Sequence, residues 1–144
     1  MLSADQCRAL RGLAEMMIPA SAEYGVPSAG DEAIFGDILQ SLGRDAGPAV
    51  AVLQRLDALA GGPFADLDQQ RRDAVAAELR ESGGGALAYL TRTILQCYYR
   101  DGRVMRSLGM EPRPPYPKGF EVEQGDWSLL DPVRARPKLY RDAT

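Results

Sequence analysis

Four prolines, Pro112, Pro114, Pro115 and Pro117, crowd together just after Gly109 and split the chain into two kinds of sequence. Each fixes φ at about −65° and removes a backbone donor, so together they force extended, polyproline-like backbone. Upstream, apolar residues recur at helical spacing; downstream, that period is lost. The expectation is an all-α protein, with a small bundle of about five helices over 1–109 followed by a long, Pro-rich and mostly irregular C-terminal arm over 110–144.

Ser3 and Gln6 form a capping-box signature, and Leu10, Leu13, Ala14, Met17 and Ile18 follow at helical spacing until Pro19, which predicts a first helix over 4–18. The stretch 20–30, with Gly25, Pro27, Ser28 and Gly30, has no period and reads as a loop. Asp31 then caps a second helix whose stripe is Ile34, Phe35, Ile38, Leu39 and Leu42, ending near Gly43. A third helix carries Val52, Leu53, Leu56, Leu59 and Ala60 between Gly47-Pro48 and Gly61-Gly62-Pro63. Phe64 and Leu67 precede a fourth over 68–82, with Val75 and Leu79 on one side, and Gly83-Gly84-Gly85 ends it. Leu87, Leu90, Ile94, Leu95, Cys97 and Tyr98 mark the most apolar helix, expected at the centre of the bundle and ending at Asp101-Gly102. One further turn holds Val104, Met105 and Leu108.

With 144 residues, 45% apolar and 26% charged, the chain has the composition of one ordinary globular domain. Its net charge of −3 without a basic stripe argues against nucleic acid as a partner. No apolar run approaches the roughly 20 residues of a membrane span, and no apolar signal core opens the chain. As written it is expected to be neither inserted nor exported by its own address.

Histidine is absent, which removes the Ser-His-Asp and Cys-His nucleophile systems and the commonest transition-metal ligand. There is no GxGxxG segment, P-loop or haem-attaching CxxCH motif, and the glycine triplet joins two helices rather than cradling a phosphate. Asp66, Asp68, Asp73 and Glu78 have the spacing of a helix start and a solvated helix face rather than of an acid/base pair. Arg71-Arg72 lies mid-chain with no apolar core after it, a surface pair rather than an export signal. Cys7 and Cys97, on the first and fifth predicted helices, are either two buried thiols or a disulfide joining those helices. No catalytic, cofactor-binding or metal-ligating residue is assigned, and the chain is not expected to be an enzyme by itself.

The arm keeps Tyr116, Phe120, Trp127, Leu129, Leu130 and Tyr140, too apolar a set for an inert solvated tail. Pre-set proline backbone lowers the ordering cost of binding, and aromatic anchors carry much of an interface's energy. Tyr116, Pro117, Phe120, Trp127, Leu129 and Tyr140 are therefore the candidate partner-binding residues. Tyr99 joins them: it lies about 100° around the helix from Tyr98, so one of the two faces the core and the other the surface or an interface. In the alternative, the arm folds back and its aromatics complete the bundle's own core. Two further roles stay open, a homo-oligomer in which copies exchange arms and a subunit that lends residues to a partner's active site.

Several short motifs, in order, resemble a known family: Met17-Ile18-Pro19-Ala20, Gly25-Val26-Pro27, Phe64-Ala65-Asp66-Leu67-Asp68 with Gln69-Gln70, Tyr98-Tyr99, Ser107-Leu108-Gly109 and Pro115-Tyr116-Pro117-Lys118-Gly119. They look like the gluconate 2-dehydrogenase subunit 3 family, the small or gamma subunit of flavin-dependent sugar and polyol dehydrogenases. The resemblance covers nearly the whole chain. It implies a non-catalytic accessory subunit without a cofactor of its own, which binds, stabilises and helps mature a large flavoprotein of the glucose-methanol-choline oxidoreductase class. FAD is then expected in that partner, and a cytochrome c is a third member in many such complexes. Many members carry a twin-arginine leader; none stands in this sequence, so the resemblance implies a periplasmic place if a leader has been removed and a cytoplasmic one as written.

Overall fold

The computed structural model describes residues 2–43 and 45–138, and the fold is all-α. Helix α1 (Ala4–Met17) begins where the Ser3 hydroxyl accepts the Gln6 N–H at 3.2 Å, while Ser3 donates its own N–H to Gln6 Oε1 at 2.9 Å. Asp31, Asp68 and Asp101 each accept a backbone N–H at the starts of α2 (Glu32–Leu42), α4 (Gln69–Ser82) and α6 (Gly102–Ser107). Each such cap is worth about 1 kcal/mol. Helix α3 (Gly47–Ala60) instead carries Pro48 in its first turn and ends on Gly61 in the left-handed region. Before α5 (Gly85–Arg100), Gly83 and Gly84 take φ of +56° and +109°, a break that side chains would resist.

The apolar stripes meet in one core: Leu10 and Leu13 from α1, Ile34 and Ile38 from α2, Val52, Leu53 and Leu56 from α3, and Leu90 and Ile94 from α5. Phe64, fully buried, sits in a 3-10 turn (Phe64–Asp66) that packs on α1 and α3, and the Asp57 carboxylate accepts its N–H at 2.9 Å. Helix α5 lies against α2 and α3, while α3 also meets α4 and α1. The centre is thus shared by α3 and α5, and α2 rather than α5 is the most apolar helix by composition.

Other departures from the sequence reading have local causes. Leu95 faces outward and Thr93 takes an inward place, its hydroxyl satisfied by the Tyr89 carbonyl one turn back at 3.0 Å. Both cysteines are free thiols, and Cys7 is only half-buried. The loop after α1 is tighter than its composition suggests: Ser21 and Val26 exchange two backbone hydrogen bonds of 3.0 Å, and Ala29 and Gly30 are buried.

The chain divides into two compact units, Met1–Pro112 and Arg113–Thr144. In the first, the Met110 N–H returns to the Met105 carbonyl at 2.9 Å and closes the turn after α6. In the second, the Tyr116–Pro117 peptide is cis, and no described residue is buried. A 3-10 turn (Trp127–Leu130) runs there into the short α7 (Asp131–Arg134), started by Asp126, whose carboxylate accepts the Ser128 N–H at 3.0 Å. Two turns are too short for the apolar period to reveal them.

Candidate functional site

The acidic residues of α4 and the turn before it do not converge. Asp68 caps its helix, Asp66 accepts from Arg8 at 3.1 Å, Asp73 accepts from Gln69 at 2.9 Å, and Glu78 is exposed. Among the described residues no three Cys, Asp or Glu side chains gather as a metal site, and no helix is long and apolar enough to cross a membrane. Arg71 is exposed, but Arg72 is not the surface residue its sequence suggests: its Nη2 donates to the Ala65 carbonyl at 2.5 Å and its Nε is buried without an acceptor.

Polar groups between α2 and α5 form a clasp. Arg100 forks onto Asp37 with two contacts of 2.5 Å and donates to the Ser41 hydroxyl at 2.7 Å, with the Cys97 thiol 3.4 Å from that hydroxyl. Burial pushes the Cys97 thiol up, against the Ser41 hydroxyl and the Arg100 charge, which act the other way, and this favours the protonated thiol. The Tyr98 hydroxyl is raised in the same way, chiefly by burial.

The candidate partner-binding residues occupy three places. Tyr116, Pro117 and Phe120 belong to a short loop braced by Arg113. Its guanidinium donates to the Gly119 carbonyl at 2.7 Å and the Pro114 carbonyl at 3.2 Å and lies 4.3 Å over the Phe120 ring, while the Gly119 N–H returns to the Pro115 carbonyl. Tyr116 is 85% exposed and Phe120 51%. Trp127 and Leu129 share the later turn, 61% and 74% exposed, with the indole N–H 3.4 Å from Gln124 Oε1. Tyr99 is on α5, half exposed and edge-on to the buried Tyr98 ring at 5.3 Å, the core-and-surface split that their 100° separation demands. Tyr140 lies outside the described residues.

A groove of about 560 Å³ runs between α1, α4 and α5, walled by Met16, Met17, Ala76, Ala77 and Leu87 with Asp73 and Arg80 on its rim. No single stretch of sequence marks it, because its lining comes from three separate helices. A second pocket, beside α1, is lined by arginines. Compared with known proteins, the chain matches no family model, no curated protein and no solved structure.

Proposed function

We propose that this chain is a non-catalytic accessory subunit of the gluconate 2-dehydrogenase subunit 3 type, which binds, stabilises and helps mature an FAD-dependent oxidoreductase of the glucose-methanol-choline class. The observation that carries the reading is the braced, proline-rich loop that leaves Tyr116 and Phe120 largely exposed, together with the exposed Trp127 and Leu129. Large apolar side chains held exposed on short pre-ordered turns are the anchors that interfaces bury.

Most of the motifs behind the resemblance have structural work to do inside the bundle. Phe64 fills the core, Asp66 pairs with Arg8, Asp68 caps α4 and Tyr98 is buried. Tyr99, Leu108 and Tyr116 are the large apolar side chains of these motifs that stay exposed, Tyr116 the most so. In this reading residues 1–109, with helices α1 to α6, are the body, the segment from 110 onward is the arm that clasps the flavoprotein, and the flavin belongs to that partner.

Co-expression of the full chain with a neighbouring flavoprotein of that class tests it. The expected result is co-purification with flavin only in the large subunit. Tyr116→Ala, Phe120→Ala and Trp127→Ala each weaken the complex by about 1 to 3 kcal/mol. A chain that purifies alone beside such a flavoprotein, or binding that ignores all three substitutions, overturns the proposal.

A further inference from the structure

We propose that the pocket beside α1, bounded by Arg8, Arg11 and Arg72, binds a small oxyanion of the phosphate class, either free phosphate or a phosphate monoester. Its volume of about 210 Å³ suits a tetrahedral anion with part of its hydration shell, and Gly12, Glu15 and Ala65 complete the lining. This site is independent of the arm and of the accessory-subunit reading.

The arrangement follows from helix geometry. Arg8, Gly12 and Glu15 fall at i, i+4 and i+7 on one face of α1, with Arg11 adjacent, while Arg72 reaches in from α4. Gly12 keeps the space open: a Cβ there would meet only Phe64 Cε1, at 3.9 Å, so packing does not demand glycine. A helix-interior glycine costs roughly 0.5 to 1 kcal/mol against alanine.

The charges around the pocket are unevenly satisfied. Arg8 is held by Asp5 and Asp66 at 2.9 and 3.1 Å. Arg11 has no carboxylate partner among the described residues and instead lies 4.6 Å over the Phe35 ring. Arg72 spends one side-chain N–H on the Ala65 carbonyl and keeps a buried Nε without an acceptor. Glu15, the lining carboxylate, lies against the backbone of Gly30, where an added Cβ would fall 2.3 Å from its Oε1. Arg11 and Arg72 thus line the pocket with no carboxylate partner of their own among the described residues, and the planar donor fork of a guanidinium matches phosphate oxygens.

Calorimetric titration of the full chain with inorganic phosphate, at ionic strength held constant with sodium chloride, is the test. The expected result is saturable binding that Arg11→Gln weakens by about tenfold or more, while Arg55→Gln on the exposed face of α3 leaves it unchanged. Matching circular dichroism and melting of the two variants shows that both are folded. Glycerol 3-phosphate titrated in parallel identifies the source: tighter binding than phosphate means an ester ligand, and equal binding means the free ion. Absence of saturable heat with either anion, or equal affinity in Arg11→Gln and the unmodified chain, overturns the proposal.

Discussion

The guanidinium of Arg103 forks onto the carboxylate of Asp31, Nη2 to Oδ1 at 2.6 Å and Nη1 to Oδ2 at 3.2 Å. The same Oδ1 accepts the Ala33 N–H at 3.1 Å, so one carboxylate both starts α2 and ties α6 to it. Asp31→Ala removes both functions and costs about 2 kcal/mol, roughly half from the cap and the remainder from a partly exposed pair. Asp31→Asn retains a capping oxygen and loses about half as much. Urea midpoints that rank the two variants in the opposite order would contradict this division.

Arg103 also gives the fold a signature in acid. Its hydrogen bonds hold the carboxyls of Asp31 and Asp101 below their ordinary value of 3.8, outweighing burial, which acts the other way. A carboxyl depressed in the folded state contributes stability that is complete above the unfolded value and lost as pH falls through the folded one. The stability gap between the unmodified chain and Arg103→Met is therefore full at neutral pH and closes below about pH 4. Denaturation at a series of pH values reads this directly, and a gap independent of pH would exclude the carboxyls as its source.

The neighbours Arg71 and Arg72 are expected to differ sharply. Arg71→Ala changes stability by less than about 0.5 kcal/mol, as an exposed substitution does. Arg72→Ala leaves the Ala65 carbonyl without its donor and uncovers the Phe64 ring, whose centroid lies 6.0 Å from the guanidinium carbon, at a cost of about 1 to 3 kcal/mol. Thermal melts of the two variants side by side check this.

That pair also marks the limit of what a sequence discloses. Helix starts were legible because Ser3, Asp31 and Asp68 act on backbone within their own turn, and the apolar stripes were legible because burial follows a period. Arg72 was not, because its acceptor belongs to the 3-10 turn before α4 and only the folded chain brings the two together. Leu95 faces outward while Thr93 faces inward because an inward hydroxyl can bond to the preceding turn, which no hydropathy scale records. The apolar content of the arm was plain, but the bracing of Tyr116 and Phe120 by Arg113 rests on carbonyl contacts that spacing alone does not suggest.

Trp127→Ala separates binding from folding. With the indole 61% exposed, the isolated chain should keep its unfolding midpoint to within about 0.5 kcal/mol, while affinity for the proposed flavoprotein partner falls by about tenfold or more. A large loss of stability in the isolated chain would instead make Trp127 part of this protein's own packing.

Helix α4 is fastened lightly: it buries only Val75 and Leu79, packs chiefly on α3, borders the open groove, and is followed by three glycines. Little apolar surface has to be exposed for it to detach, so its opening free energy lies well below that of the whole bundle. Its amides should accordingly exchange with deuterium sooner than those of α3 and α5, and a protease should nick the chain first at Gly83 to Gly85, giving this small bundle one helix that works on a faster clock than the others.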